Sequence, residues 1–243
     1  MYVTQPDLGL SRAREILERH DLLGRLSRAE MDELMRLVHV KRLPPDHLLF
    51  QKGDPGDSLF AVLSGQIKIS TRSKVGKEII LNFLGPGEIF GEIALLDGRE
   101  RTADASTIAP SELLFITRPN FMSFLKDHPQ VALRLIDVLC SRIRWVSESY
   151  EDVIFKRLPN RLAKKSVLLA GHFGEARGLG VSITLHLTQQ ALANMVGATR
   201  ESVNKQMRLW EDEGLITYQR GHITILNLAR LSEIAESDEG DPS

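Results

Sequence analysis

Residues 188–210 read TQQALANMVGATRESVNKQMRLW and decide the fold of the C-terminal part of the chain. The pattern predicts two helices joined by a tight turn, because Thr188 and Thr199 can cap a helix and Gly197 tolerates the positive φ that ends one. The apolar residues of the second helix recur at helical spacing and are expected to face inward. They are Val203, Met207 and Trp210.

The outer face of this second helix is polar and carries Arg200, Glu201, Asn204, Lys205 and Arg208. Arginine can bind guanine bidentately, glutamate can accept a hydrogen bond from cytosine, and lysine can reach guanine or phosphate. The residues expected to contact double-stranded DNA are Thr188, Gln189, Thr199, Arg200, Glu201, Asn204 and Lys205. A winged-helix module that binds only other proteins is the alternative.

The flanking segments predict a winged helix-turn-helix around this motif. Residues 161–170 are expected to be helical, residues 171–180 to form a glycine-rich loop, and residues 181–187 to form a strand. A hairpin is expected over residues 216–226, with its turn at Arg220-Gly221. Helix, strand, two helices and a hairpin follow one another in the order of that fold.

Composition excludes several classes of protein. The chain has 243 residues, of which 42% are hydrophobic and 26% charged, with a net charge of −1, as in a globular domain. No apolar run has the length of a membrane span, so a cytoplasmic protein without a membrane partner is expected. Cys140 is the only cysteine, which excludes an internal disulfide and a cysteine-ligated iron–sulfur cluster. Basic residues outnumber acidic ones in residues 156–230, whereas residues 231–243 contain acids and no base.

A β-rich region is expected between Leu43 and Phe115, after short helices over residues 12–40. Short apolar runs there alternate with turns such as Gly53-Asp54-Pro55-Gly56, a pattern that predicts a β jelly roll. The predicted strands are Leu48–Phe50, Leu59–Leu63, Ile67–Ser70, Glu78–Phe83 and Leu113–Ile116.

The longest helix is expected to start at Pro129 and to end before Pro159. Apolar residues recur along it at spacings of three and four, which predicts a parallel coiled-coil dimer seam. The seam consists of Ile136, Leu139, Ile143, Val146, Tyr150 and Val153. The alternative is a helix that packs on its own domain, and a second apolar side is supplied by Leu133, Leu135 and Val138. A hinge is expected at residues 157–160, because a residue before proline disfavours helical geometry.

Residues 90–103 read FGEIALLDGRERTA and form the second informative motif. Gly91 permits close backbone approach, and Arg101 with Thr102 can bind a phosphate. Glu92 would repel that phosphate unless it accepts a hydrogen bond from a sugar hydroxyl. The motif therefore indicates a sugar phosphate with a free 2′-hydroxyl; a surface turn with an Arg–Glu pair is the alternative.

With these two motifs, the chain resembles the CRP/FNR family of bacterial transcription regulators over roughly residues 15–228. Residues 91–103 resemble the phosphate-binding cassette of its cyclic-nucleotide-binding members, and residues 197–203 resemble its recognition helix. The resemblance implies a cyclic nucleotide effector, with cAMP favoured and cGMP as the second candidate. Within the cassette, it assigns the ribose 2′-hydroxyl to Glu92 and the cyclic phosphate to Arg101 and Thr102. The implied ligand-site residues are Gly91, Glu92, Ile93, Ala94, Arg101, Thr102, Ala103, Arg142, Val146 and Ser147.

The sequence departs from the family at three positions, one of which is Gln206, where the catabolite-activator branch has a core isoleucine. Val146-Ser147 stands where cAMP-responsive members have threonine and serine, so weaker discrimination of adenine is expected. Lys205 stands where the catabolite-activator branch has arginine, so one base pair should be read less stringently.

Together these observations predict an α+β protein in four parts. They are helices and a jelly-roll nucleotide-binding domain (1–127), a dimerisation helix (128–156), a winged helix-turn-helix (157–232) and an acidic, disordered tail (233–243). The expected function is a homodimeric transcription factor that binds a TGTGA-like palindrome and RNA polymerase. Two alternatives remain: a member that binds DNA without ligand and keeps a vestigial cassette, and a nucleotide-regulated subunit that does not bind DNA.

No enzyme activity is expected. The seven histidines are scattered, and no hydrolase triad or metal-ligand spacing appears, so no catalytic or metal-binding residue is predicted. Residues 51–127 contain neither histidine nor cysteine, which leaves no axial ligand for a haem near the cassette.

Overall fold

The computed structural model describes residues 8–18, 23–178 and 180–237, which form two compact units. The first unit comprises the described residues up to Lys77 and from Leu81 to Arg142. The second comprises Glu78–Ile80 and the described residues from Ile143 onward. The boundary therefore lies within the longest helix.

The first unit begins with helices and continues with strands. Its helices are α1 (Leu8–Glu18), α2 (Arg28–Leu37), α3 (Glu92–Asp97), α4 (Arg118–Asp127) and the first part of α5 (Pro129–Phe155), with a 3₁₀ turn at Leu23–Arg25. The strands of this region are β1 (His39–Leu43), β2 (Leu48–Phe50), β3 (Ser58–Ser64), β4 (Ile67–Arg72), β5 (Glu78–Leu84), β6 (Ile89–Phe90), β7 (Asp104–Thr107) and β8 (Ser111–Thr117).

These strands form two four-stranded sheets, in the orders β1-β8-β3-β6 and β2-β7-β4-β5. Apolar side chains from both sheets share one core, which includes Phe60, Ile67 and Leu113. The helices cover the outer face of the first sheet, where Leu17, Leu34 and Phe121 are buried in a second apolar cluster. The predicted jelly roll is confirmed, and its strands β3 and β8 pair with each other and are largely buried on both faces.

The second unit contains the end of α5 and a compact helical domain with a small sheet. Its elements are α6 (Leu158–Phe173), β9 (Gly174–Arg177), β10 (Gly180–Ile183), α7 (Gln189–Val196), α8 (Arg200–Asp212), β11 (Ile216–Gln219), β12 (His222–Ile225) and α9 (Leu228–Glu236). The strands are antiparallel in the order β11-β12-β10-β9. The predicted winged helix-turn-helix is confirmed, and so is the hairpin turn at Arg220-Gly221.

Several local predictions are wrong. The strand predicted over residues 181–187 ends at Ile183, and residues 171–173 of the predicted loop belong to α6. Residues 174–177 are not part of a loop, because β9 pairs with β10 over its whole length. Helix α6 starts at Leu158, with Pro159 in its first turn, where a missing N–H leaves no hydrogen bond unmade. The predicted disordered tail is wrong for residues 233–236, which belong to α9, where Leu231 and Ala235 are buried. Residues 238–243 lie outside the described residues.

The faces of α5 differ from the expectation at two residues. Leu139 is half-buried against the core of the first unit, because it lies one turn after the buried Leu135 on the same face. Leu133, predicted on that side, is exposed instead. The remaining seam residues are exposed: Ile136, Ile143, Val146, Tyr150 and Val153.

Candidate functional site

Arg101 is the central side chain of the cassette and is only 4% exposed. One of its terminal nitrogens, Nη1, donates to the carbonyl of Gly91 at 2.9 Å, and Nη2 donates to the carbonyl of Ser58 at 2.8 Å. The guanidinium carbon lies 4.3 Å from the centroid of the Phe50 ring and 5.7 Å from the centroid of the Phe60 ring. Two carbonyls and two aromatic rings therefore fix the position of this cation.

The positive charge of Arg101 is not neutralised at short range. Its nearest ion-pair partner in the described part of the chain is Asp57, whose carboxylate is 4.0 Å away and 83% exposed. The nitrogen Nε is buried and has no hydrogen-bond partner among the described residues. Burial lowers the pKa of the Arg101 guanidinium, although Asp57, Glu92 and Asp54 oppose the shift. A buried cation with an unmade hydrogen bond suits an anionic ligand.

Gly91 makes this position of Arg101 possible. Its φ of 83° lies in the left-handed region, which favours glycine. A Cβ at this position would lie 2.7 Å from Nη1 of Arg101 and 3.2 Å from the carbonyl oxygen of Ser58. Any other residue would therefore displace the guanidinium or strain the backbone.

Glu92 is the first residue of α3, and its side chain is almost fully buried. Its carboxylate accepts a hydrogen bond from Nη1 of Arg142, whose Nη2 donates to the carbonyl of Ile89. Arg142 lies on α5, so this ion pair joins the cassette to the long helix within the first unit. The sequence suggested Arg142 as a ligand residue but gave no sign of its pairing with Glu92.

Arg118 is a further residue of this region that the sequence did not indicate. Its Nε donates to the carbonyl of Leu95 at 2.7 Å, and its Nη2 lies 3.4 Å from the carbonyl of Leu96. It thereby satisfies carbonyl groups at the C-terminal end of α3, which a short helix leaves without partners. Arg118 holds the helix that carries Glu92, and only its basic character could have suggested this role.

The other predicted ligand residues occupy different environments. Ala94 and Ala103 are buried, whereas Ile93 and Thr102 are exposed. Val146 and Ser147 belong to the second unit and are exposed there. Gly91, Glu92, Arg101 and Arg142 are thus the predicted residues that the structure places in direct contact with one another.

In the second unit the predicted helix caps are confirmed. The hydroxyl oxygen of Thr188 accepts from the backbone N–H of Ala191 at 3.1 Å, and that of Thr199 accepts from Ser202 at 3.1 Å. Gly197 ends α7 with a φ of 66°. The three inward residues of α8 are fully or almost fully buried, as predicted: Val203, Met207 and Trp210.

The outer face of α8 is polar and exposed, with Arg200, Glu201 and Lys205 directed to solvent. Asn204 is half-buried, and its carbonyl oxygen accepts from Nε2 of Gln189 at 2.7 Å. This hydrogen bond joins the first turn of α7 to α8. Three side chains are therefore free to reach a DNA groove, while Gln189 and Asn204 orient each other.

The wing adds basic residues that the sequence reasoning did not include among the DNA contacts. Arg220 forms the hairpin turn with a φ of 49°, and it lines an open polar pocket on the outer face of the sheet. The pocket lining also contains Arg177, Thr217, Gln219, His222 and Thr224. An arginine at a hairpin tip was the available signal.

Two negative findings apply to the described residues. No group of three or more His, Cys, Asp or Glu side chains is arranged to bind a metal ion in residues 8–18, 23–178 and 180–237. Among the helices that the structure describes, none is long and apolar enough to cross a membrane.

The comparisons with known proteins agree with this architecture. The family model of the cyclic nucleotide-binding domain matches residues 40–128, and that of the Crp-like helix-turn-helix domain matches residues 160–234. The chain is 33% identical over 221 residues to the CRP-like cAMP-activated global transcriptional regulator of Mycobacterium tuberculosis, covering 91% of this chain and 99% of that protein. It is 30% identical to the cyclic AMP receptor protein of Thermus thermophilus, covering 86% and 94%.

Solved structures show the same fold. The crystal structure of the Thermus thermophilus catabolite activator protein aligns with a TM-score of 0.52 at 30% identity, covering 88% of this chain and 98% of that one. The c-di-GMP-responsive regulator CLP of Xanthomonas campestris aligns with a TM-score of 0.71 at 21% identity, covering 82% and 99%, which supports the fold alone.

A jelly roll of the cyclic nucleotide-binding type followed by a winged helix-turn-helix defines a class of DNA-binding transcription regulator. The chain belongs to the CRP/FNR family of transcription regulators and contains that family's cyclic nucleotide-binding and DNA-binding domains.

Proposed function

We propose that this protein is a homodimeric transcription factor whose affinity for DNA is set by a cyclic nucleotide bound at Arg101. The observation that carries the proposal is the state of Arg101: a buried guanidinium whose Nε has no partner among the described residues and whose ion-pair partner, the exposed carboxylate of Asp57, is 4.0 Å away. The singly charged phosphodiester of a cyclic nucleotide would supply both the missing acceptor and the missing negative charge.

The favoured ligand is cAMP, with cGMP as the second candidate. The relatives from Mycobacterium and Thermus are named for cAMP. Glu92 offers a buried carboxylate to a ribose 2′-hydroxyl, which both nucleotides possess. Val146 provides no hydrogen bond to a base, so selectivity between the purines should be modest.

Nucleotide binding is coupled to α5 through the ion pair of Glu92 with Arg142. A ribose hydroxyl that donates to Glu92 must either share the carboxylate with Arg142 or displace Arg142 from it. Because Arg142 lies on α5, the strength of the ligand's interaction with Glu92 depends on where α5 places Arg142. A ligand can shift a conformational equilibrium only through such a difference.

Dimerisation is assigned to the exposed apolar residues of α5, which water would otherwise contact. Two copies related by a two-fold axis would bind a near-palindromic site, with half-sites about one helical turn apart. By family resemblance each half-site is close to TGTGA, with Arg200 at a guanine and Glu201 at the cytosine of the paired strand. RNA polymerase is the proposed partner, and the cytoplasm the proposed location.

Two measurements on the full-length protein test this function. Calorimetric titration with cAMP and with cGMP should show saturable binding of at least one nucleotide. A DNA shift assay with a TGTGA palindrome, with and without that nucleotide, should show a change in affinity. DNA binding without any nucleotide effect would instead support a vestigial cassette, and nucleotide binding without DNA binding would support a regulatory subunit.

A further inference from the structure

The C-terminal helix α9 packs along α6 and ends beside the first turn of α6. The last carbonyls of any α-helix lack partners within the helix. In α9 these carbonyls accept hydrogen bonds from side chains at the junction between α5 and α6. This arrangement is confined to the second unit and lies outside the nucleotide cassette and the DNA-reading helix.

Asn160 makes the most extensive of these contacts and is 8% exposed. Its amide nitrogen Nδ2 lies 2.8 Å from the carbonyl of Ile234, 2.9 Å from that of Ser237 and 2.8 Å from the Ser237 hydroxyl. An amide group has two hydrogens, so Asn160 serves two of these acceptors at a time. A buried amide surrounded by three acceptors requires a donor at this position.

Lys156 makes the second contact from the residue that follows α5. Its Nζ donates to the carbonyl of Ala235 at 2.8 Å and lies 3.6 Å from the carboxylate of Asp152. A cation at the C-terminal end of a helix is stabilised by the partial negative charge of the carbonyls. Lys156 therefore connects the last turn of α5 to the end of α9.

The junction is also bridged from its other side. Asp152 forms a second ion pair, at 2.5 Å, with Lys164 of α6. Arg161 donates from Nη1 to the carbonyls of Val153 and Lys156, both at 3.1 Å. Arg161 thus binds one carbonyl of the last turn of α5 and the carbonyl of the residue after it, while the end of α9 is bound by Lys156 and Asn160.

We propose that α9 is a clamp that makes the α5–α6 junction a rigid coupling, with Asn160 and Lys156 as its positioning residues. The sequence predicted a hinge at residues 157–160, but Lys156, Asn160 and Arg161 each form hydrogen bonds across this junction. Since α6 also contacts α7 and α8, a movement of the end of α5 is transmitted to the DNA-reading helix. The proposal that α9 makes the junction rigid does not depend on the proposed function. The expected effect of the clamp on the response to a nucleotide does rest on the proposed function.

The test is hydrogen–deuterium exchange on the full-length protein, together with DNA affinity with and without cAMP. Asn160→Asp replaces the donating amide with a carboxylate that cannot donate to the carbonyls of Ile234 and Ser237, and it should release α9. Amide exchange should accelerate about tenfold or more in residues 156–164 and 228–236, with α7 and α8 unchanged. The nucleotide-dependent gain in DNA affinity should fall severalfold, while cAMP affinity stays at the wild-type value.

Matched lysine variants separate the clamp from the ion pair. Lys156 and Lys164 both pair with Asp152, but only Lys156 reaches α9, so Lys156→Met should accelerate exchange in α9 and Lys164→Met should not. Arg230→Gln removes an exposed ion pair with Glu233 on α9 and should change neither measurement. Lys156→Met also serves if Asn160→Asp fails to fold.

Two results would overturn the clamp. One is amide exchange in α9 that is unchanged in Lys156→Met. The other is exchange that rises in α7 and α8 as much as in α9, which indicates general destabilisation. If the wild-type protein shows no effect of cAMP or cGMP on DNA affinity, the proposed function fails. The exchange comparison still decides the clamp in that case.

Discussion

Arg101 in the first unit and Arg200 in the second illustrate two ways in which a protein prepares an arginine for an anionic partner. Arg101 is 4% exposed, and carbonyls and aromatic rings fix its position. Arg200 begins α8, is exposed, and is positioned mainly by the helix that carries it. The guanidinium of Arg101 is thus fixed by partners within the protein, whereas that of Arg200 is open to solvent.

The difference predicts how each function fails. A small ligand at a buried site depends on few contacts, so one lost charge removes most of its binding energy. A DNA interface distributes its energy over phosphate and base contacts, so one lost side chain lowers affinity and changes specificity at one position. The following substitutions test this contrast.

Replacement of Arg101 should have the largest effect. Arg101→Ala should weaken cyclic-nucleotide binding by about 2–5 kcal/mol, the usual loss when one partner of a buried charge pair is removed. Calorimetric titration measures the loss, and sedimentation with circular dichroism shows whether a folded dimer persists. Arg99→Ala is the matched control, because Arg99 is an exposed arginine two residues earlier. Unchanged affinity in Arg101→Ala would refute the phosphate site.

Disruption of the α5 seam should rank second. Ile143 and Val146 are 65% and 57% exposed, so glutamates there cause little harm to a monomer but place charges in a dimer seam. The double variant Ile143→Glu, Val146→Glu should sediment as a monomer and lose DNA affinity about a hundredfold, since binding to two half-sites gains at least that factor.

Val75→Glu controls for added charge at an exposed apolar residue elsewhere, since Val75 is 90% exposed. It should remain dimeric. Wild-type protein that is monomeric at micromolar concentration would contradict the seam.

The recognition helix should show a smaller effect. Arg200→Ala should reduce affinity for the cognate site by about 1–3 kcal/mol and relax the preference at one base pair. Arg220→Ala, in the wing turn, should weaken binding to all sequences and flatten the salt dependence, as expected for a phosphate contact. Binding-site selection with both variants checks the contrast. An Arg200→Ala protein with wild-type sequence preference would refute the role of Arg200.

The sequence predicted the secondary structure best where local chemistry decides it. The caps at Thr188 and Thr199 and the turn at Gly197 follow from hydrogen bonds within a few residues. Strands β1, β6 and β7 were not predicted, and each of them pairs with a strand that is distant in the sequence.

The candidate site divides in the same way. The cassette residues were found because they are contiguous in the sequence. The partners of Glu92 and of the α3 carbonyls, Arg142 and Arg118, come from distant segments and have no local signature. Helix α9 was not predicted, because its charged end resembles a tail and the residues that bind its C-terminal carbonyls, Asn160 and Lys156, lie far away in the sequence.

The smallest expected effect is at Lys165. Unlike Arg101, this cation can respond to burial by losing its proton. Its Nζ lies 4.9 Å from the centroid of the Trp145 ring, and burial lowers the pKa of Lys165 although Asp152 opposes the shift. Between that lowered value and the ordinary pKa of about 10.4, the unfolded chain binds more protons than the folded chain. The contribution of Lys165 to the free energy of unfolding should therefore rise with pH between these two pKa values.

Thermal unfolding of the wild type and of Lys165→Met, from pH 7 upward, measures this effect. Across this pH range the melting temperature of the wild type should rise relative to that of Lys165→Met. Lys205→Met, at an exposed residue of α8, should keep a constant difference from the wild type. A wild-type melting temperature that falls relative to Lys165→Met as pH rises would show that the ammonium group is stabilised by the Trp145 ring more than it is disfavoured by burial.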